Sequence, residues 1–382
     1  MNRKQFLVSL AVLVVLGIAA AAVVLSDRSS WNAAETKVGQ KVIPGLKIAD
    51  VAEIAIRDSS GEVHLVRAKD GWTVRERADF PADTGRIGEL LVTLAELKAV
   101  QSEALPADER TRLDLQEPKT GSAPGAGVAL KLKDAKGAEL GRLLLGKQIF
   151  KNAESASLGA ARTEASGRYV LAGADAGTML AVAEPFAQVV TKPQDWLVKD
   201  LLRVDVAKTV SSTDKNGRHR WIVSRKTDGA DWTLAGSKAK PDLQKATDLA
   251  NTLGWVNLVD VVADPAKADT GLDHPVTVKA ETFDGITYTL KIGNAAGNDY
   301  YASYEVSGEP AKIRVAPKGE KPEDKAKNDK VFEDRRKKLV DQIEREKKLS
   351  HWTFLVAKST LDPLLRDRAQ LMPEKKKAAK KV

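Results

Sequence analysis

Residues 141–148 carry the first pattern that could do chemistry, that of a phosphate-binding loop. The segment GRLLLGKQ matches the G-x-x-x-x-G-K core of such a loop, but Gln148 stands where Ser or Thr would bind Mg²⁺. Residues 143–145 are three leucines, as in a strand, whereas a phosphate cradle needs a flexible loop that opens a helix. We therefore predict a strand and no nucleotide site. The Gly-rich segments GSAPGAG (121–127) and GNAAGN (293–298) are predicted to be turns.

The composition and spacing of the side chains give little support for a metal site or for a catalytic nucleophile. The chain has no cysteine, which excludes disulfides, thiolate metal ligands and lipid attachment to an N-terminal cysteine. Its histidines stand apart from one another and lack the spacing of a metal site; they are His64, His219, His274 and His351. We predict no catalytic residue, metal ligand or cofactor. A hydrolase built from carboxylates that the fold brings together is the alternative.

Two tryptophans are the candidate residues that we single out. Trp72 in DGWTV and Trp232 in ADWTL each follow the turn of a predicted hairpin. The favoured interpretation is a core aromatic that closes the hairpin against a helix. A role in an interface is the alternative.

The elements that hold these tryptophans occur twice along the chain. Alternating apolar residues predict hairpins over 46–76 and over 201–236. An amphipathic helix is predicted after each hairpin, because apolar residues recur at spacings of three and four. These are Ile87, Leu90, Leu91, Leu94 and Leu97 in the first, and Leu243, Ala246, Leu249, Ala250 and Leu253 in the second. Asp83 or Thr84 is expected to cap the first helix, and Pro241 suits the first turn of the second.

A second pair of strands follows in each half, over 127–148 and 276–296. Pro118 and Pro275 precede these strands, and Gly146 and Gly293 end them. We therefore predict an α+β fold with two repeated units, 46–198 and 199–316. Each has an antiparallel sheet and one amphipathic helix, and two unrelated domains are the alternative.

Residues 317–382 are predicted to form a charged helical region that ends in a Lys-rich tail. The helical part has few apolar residues, so a solvated helix is favoured over a partner-docking helix; the apolar residues are Phe332, Leu339, Val340 and Ile343. The tail, EKKKAAKKV (374–382), is expected to be solvated, with contact to an anionic surface as the alternative.

A membrane anchor is predicted near the N-terminus. Residues 6–25 contain no charge and are long enough to span a bilayer as a helix. Arg3 and Lys4 precede them, which favours a cytoplasmic segment 1–5 and a linker, 26–45, outside the cytoplasm. Cleavage as a signal peptide is the alternative.

Charge argues against nucleic acid as a partner. The formal net charge is +9, but most of it comes from Arg3, Lys4 and the tail. The body is only weakly basic, whereas a nucleic-acid-binding face is expected to carry a basic stripe.

The order of these motifs resembles the bacterial family called domain of unknown function 4340. DGWTV, ADFPADTGRIGELLVTLAELKAV and TGLDHPVTVKAETFDGITYTLKIGN carry the resemblance, which spans about residues 46–310. It implies a single-pass protein of the bacterial inner membrane with its bulk in the periplasm. It also implies an association with ABC transporter components of the gliding-motility type, and it transfers no catalytic residues.

The resulting expectation is a non-enzymatic accessory or scaffold protein. It would bind partner proteins, with ABC transporter subunits favoured. The alternative is a periplasmic module that binds a cell-envelope polymer or a transported substrate.

Overall fold

The computed structural model describes residues 37–121, 124–153, 162–173, 177–316 and 319–373, without the side chains of 151–153, 162 and 163. Within these residues no helix is both long enough and apolar enough to cross a membrane. The predicted anchor, 6–25, and the Lys-rich tail lie outside the described residues.

The chain divides into two compact units. Among the described residues, the first contains those of 37–76 and 81–196, and the second contains those of 77–80 and 197–373. Each unit is built on its own large sheet, so the strands and helices are described for each unit separately.

Nine strands build the first large sheet and eight build the second. The first nine are β1 Glu53–Arg57, β2 Glu62–Ala68, β3 Gly71–Val74, β4 Phe80–Pro81, β5 Ala99–Ala104, β6 Val128–Lys133, β7 Glu139–Ala153, β8 Arg162–Ala172 and β9 Thr178–Val182. The strands that follow are β10 Asp200–Leu202, β11 Ala207–Thr213, β12 His219–Ser224, β13 Thr233–Leu234, β14 Val256–Asn257, β15 Asp260–Val261, β16 Val276–Thr282, β17 Ile286–Ala296, β18 Asp299–Gly308 and β19 Phe354–Ala357. Strands β10 and β14 form a separate small sheet.

Helices are few, and most are short. The α-helices are α1 Thr84–Glu96, α2 Glu109–Arg112, α3 Leu243–Gly254, α4 Pro322–Leu349 and α5 Lys358–Leu361. The 3₁₀ helices are Ile48–Asp50, Arg75–Arg77, Pro193–Trp196, Pro265–Lys267, Asp362–Leu365 and Arg368–Leu371. Mostly antiparallel sheets with few helices confirm the predicted α+β class.

The two sheets have the same order of strands. The first runs β4-β3-β2-β1-β6-β7-β8-β9-β5, and the second runs β13-β12-β11-β16-β17-β18-β19-β15. Apart from β4, every strand of one sheet therefore has a counterpart in the other. The sequence predicted the two hairpins of each unit but not the closing pairs, β9 with β5 and β19 with β15.

An amphipathic helix, α1 or α3, packs against the core of each unit, and an aspartate caps its start. Asp83 accepts a hydrogen bond from the Arg86 amide at 3.1 Å, and Asp242 caps α3 in the same way. The backbone N–H of each aspartate also donates at 2.8 Å to a carbonyl of a 3₁₀ segment, that of Trp196 for Asp83 and that of Leu371 for Asp242. The cap thus fixes both the start of the helix and its tie to the core.

The helices differ in detail from their predicted patterns. Leu97 is buried but follows the end of α1, and Pro241 precedes the cap of α3 instead of lying in its first turn. Leu243 was predicted on the buried face of α3, and that was wrong, since it is 40% exposed. Leu243 is the first residue of α3, so no preceding helical turn covers its side chain.

Matching glycines mark a close crossing in each unit. A Cβ built on Gly146 would lie 2.4 Å from the Leu113 carbonyl oxygen, and one built on Gly293 would lie 2.0 Å from that of Thr270. Directly after each glycine, the amide of Lys147 or Asn294 donates to the same carbonyl. Only glycine permits this approach at these two positions.

The charged region beyond residue 316 forms more than a solvated helix. Helix α4 buries Leu339, Ile343 and Glu346, and β19 pairs with β18 in the second sheet. Glu346 Oε1 accepts from Gln342 Nε2 at 3.0 Å and from the Arg203 amide at 3.3 Å, while Oε2 has no hydrogen-bond partner among the described residues. Burial raises the pKa of Glu346 above its usual value, although these hydrogen bonds oppose the rise.

Replacing Asp83 with Ala is expected to lower the free energy of unfolding by about 1 kcal/mol, because the capping acceptor is lost. Asp83→Asn keeps an acceptor oxygen and should retain most of the stability. Denaturant unfolding of the full chain measures both. An equal loss in the two variants would show that the carboxylate charge matters and the cap does not.

The Glu346→Gln variant is expected to gain stability relative to the wild type as the pH rises. The folded chain favours protonated Glu346, so the wild type loses stability as the pH climbs through the ordinary carboxyl pKa toward the raised one. Glutamine imitates the protonated acid at every pH. Thermal unfolding at pH 4 and pH 8 should give a difference between variant and wild type that is more positive at pH 8. A pH-independent difference would contradict the raised pKa.

Candidate functional site

A cleft of about 770 Å³ lies in the second unit. Its walls are helix α3, the turn between β12 and β13, and the segment that leads into β11. We call it the Trp255 cleft after its most exposed aromatic residue. Its volume lies within the range of small-ligand sites in proteins.

Trp255 directly follows α3 and is 64% exposed. The guanidinium carbon of Arg203 lies 4.3 Å from its ring centre, which is a cation–π arrangement. Arg203 Nε also donates to Asp205 Oδ1 at 3.0 Å. Trp255 is therefore an exposed aromatic surface whose position is supported by a charged neighbour.

Trp232 forms the inner wall and is only 4% exposed. The guanidinium carbon of Arg225 lies 4.8 Å from its ring centre. Arg225 Nε donates to the Ala207 carbonyl at 2.8 Å, and Nη1 pairs with Asp228 at 3.1 Å. These contacts fix Arg225, so this wall is pre-organised.

Helix α3 adds polar groups to an otherwise mixed lining. Among the described residues, the side chains of Thr247 and Asn251 have no hydrogen-bond partner. Two arginines are balanced by Asp205 and Asp231, and Leu243 and Ala250 supply apolar surface. A neutral cleft with aromatic, apolar and polar surface suits non-covalent recognition.

The first unit has the same arginine and tryptophan at the corresponding place. The guanidinium carbon of Arg67 lies 5.0 Å from the ring centre of Trp72, which is 6% exposed. Thr73 Oγ1 donates to the Val66 carbonyl just as Thr233 Oγ1 donates to that of Ser224. The structure thus places both predicted tryptophans inside their own units, each beneath an arginine.

Sequence reasoning missed Arg67, Arg225, Arg203 and Trp255. The two stacking arginines follow from hairpin register, since Leu65 pairs with Val74 and Val223 pairs with Leu234. Each arginine lies two residues beyond that pair along the chain, Arg67 within β2 and Arg225 directly after β12. Trp255 had a weaker signal, a large aromatic placed directly after the last helical residue.

The other chemical motifs lie where they cannot form the sites they suggest. Residues 141–148 lie within β7, so no phosphate loop exists there. His64 Nδ1 lies 2.6 Å from Glu76 Oε1, and His274 is largely exposed beside Asp273. Across the described residues, no group of three or more His, Cys, Asp or Glu side chains gathers as a metal site.

Two α+β units that share a strand order, one with an open aromatic cleft, define the class of fold. The family described as domain of unknown function (DUF4340) matches residues 72–275, which is more than half of the chain and includes the whole lining of the cleft. The chain belongs to this family. No curated protein and no solved structure matches it.

Replacing each of the two tryptophans of the cleft with alanine should distinguish a buried core residue from an exposed surface residue. Trp232→Ala is expected to cost about 3–5 kcal/mol, because it empties a buried site. Trp255→Ala should cost less than about 1 kcal/mol, because the ring is mostly exposed. Denaturant unfolding followed by circular dichroism measures both. Similar losses would mean that Trp255 is also a core residue.

Proposed function

We propose that the chain is a non-enzymatic binding protein that recognises partner proteins through the Trp255 cleft. The single observation that carries the proposal is the exposed Trp255 ring beside Arg203 at the mouth of a pre-organised cleft. Tryptophan and arginine are the residues most enriched among those that dominate binding energy at protein interfaces. A rigid wall lowers the entropy lost on binding.

The setting of this binding is part of the proposal. We propose that residues 6–25 anchor the chain in the bacterial inner membrane and that its bulk faces the periplasm. The partners would be subunits of an ABC-type export complex, as the resemblance to the family implies. The protein would then act as an accessory or scaffold.

We also propose that the two units arose by duplication. The shared strand order, the matching aspartate caps and the glycine crossings support a common origin. One copy would have kept its cleft open.

A second candidate function is binding of a cell-envelope polymer or transported substrate in the same cleft. The free side chains of Thr247 and Asn251 beside the Trp255 ring favour it. Such a mixture of hydroxyl, amide and flat aromatic surface can hold a polar ligand of small volume.

Co-purification from mildly solubilised, crosslinked membranes tests the first proposal. We expect C-terminally tagged wild type to recover ABC transporter subunits in stoichiometric amounts and Trp255→Ala to lose most of them. Phe150→Ala is the matched control, because Phe150 is an aromatic residue of the first unit that is 54% exposed. Its recovery should equal that of the wild type.

Recovery of the tagged chain alone would overturn the proposal of stable partners. Equal recovery by wild type and Trp255→Ala would place the partner surface elsewhere on the molecule.

A further inference from the structure

We infer that the occupant of the Trp255 cleft is an extended polypeptide segment of a partner protein. The inference rests on the proposed function and names the kind of ligand that the cleft receives. At the corresponding place in the first unit, the chain supplies a segment of its own.

The cleft and the corresponding region of the first unit are bordered by similar contacts. The amide of Val42 donates to the Leu97 carbonyl at 2.9 Å, and that of Val204 donates to the Leu253 carbonyl at 3.0 Å. The guanidinium groups of Arg67, in β2, and of Arg225, directly after β12, then lie over the rings of Trp72 and Trp232. The two units therefore enter and leave this region by the same route.

The connection from Val42 to β1 in the first unit is longer than the connection from Val204 to β11 in the second. Ten residues, 43–52, join Val42 to β1 in the first unit, whereas only Asp205 and Val206 join Val204 to β11 in the second. A two-residue link spans at most about 7 Å and cannot loop outward to cover neighbouring surface. The second unit is left with an open cleft.

The longer connection shows how a polypeptide segment lies beside the arginine and tryptophan of the first unit. Its 3₁₀ helix, Ile48–Asp50, packs against α1, and the Ile48 carbonyl accepts a hydrogen bond from Arg67 Nη2 at 3.0 Å. Leu46 and Ile48 are half-buried there. A main-chain carbonyl of the connection thus meets the arginine, and its 3₁₀ helix lies against α1.

The cleft presents the matching groups without an occupant from the described chain. Arg225 uses Nε and Nη1 for contacts within the unit. In the first unit the guanidinium of Arg67, which lies over Trp72 as Arg225 lies over Trp232, binds the Ile48 carbonyl. Leu243 and Trp255 offer the apolar surface that the side chains of a bound segment would cover.

A peptide copied from the first unit is the direct probe. Fluorescein-labelled IPGLKIADVA, residues 43–52, is titrated into the detergent-solubilised full chain up to about 1 mM, the range of weak contacts. We expect saturable anisotropy and a shift of the Trp255 indole N–H resonance, which is assigned by its absence in Trp255→Ala. Binding should weaken at least tenfold in Trp255→Ala and stay unchanged in Phe150→Ala.

A peptide with Leu46→Ser and Ile48→Ser is the matched ligand control and should bind at least tenfold more weakly. Equal binding of both peptides, or no shift at Trp255, would overturn the inference. If partners depend on Trp255 in co-purification while the peptide leaves its resonance unmoved, the proposed function stands and the extended segment fails. If the peptide binds at Trp255 and no partner is recovered, the inference stands and the proposed partnership fails.

Discussion

The need to cover one apolar face of a large sheet governs each unit of this protein. Helices α1 and α3 meet that need with Ile87, Leu90 and Leu94 in one unit and Ala246, Leu249 and Leu253 in the other. The starting point of each helix decides which of its side chains face the sheet, so it has to be fixed. The aspartate caps fix it, and their backbone amides bond to the 3₁₀ segment that closes the same unit. Connectivity and packing therefore depend on one short stretch of backbone.

The two units share this arrangement but differ in the length of one connection. The longer connection covers the region beside the arginine and tryptophan in the first unit, and the shorter one leaves the Trp255 cleft open in the second. The arginine over the tryptophan is present in both units at nearly the same distance. What differs is whether the chain continues across it, as residues 43–52 do, or passes directly into the next strand. A difference of this kind changes the surface without disturbing the core, because it lies outside the sheet and the helix.

Local patterns made much of this fold predictable. Alternation gave the hairpins around Trp72 and Trp232, and apolar spacing gave both amphipathic helices, because these signals arise within short stretches of chain. The pairing of β19 with β15 joins residues nearly a hundred positions apart, and no local pattern carries it. Glu346 lay in a helix predicted to be solvated, since its burial depends on a sheet that the helix sequence does not describe. The sequence pattern did not predict a role for Trp255 for a similar reason, because three distant segments form the cleft beside it.

The glycine crossings have a consequence for how the two halves of the chain can diverge. At Gly146 and Gly293 a strand passes so near a carbonyl that a methyl group has no room. The loops on either side differ in length between the two units. The glycines, however, hold the strands in one alignment with the crossing segment. They act as fixed reference points, so the differences in chain length between the two units lie in the intervals between them.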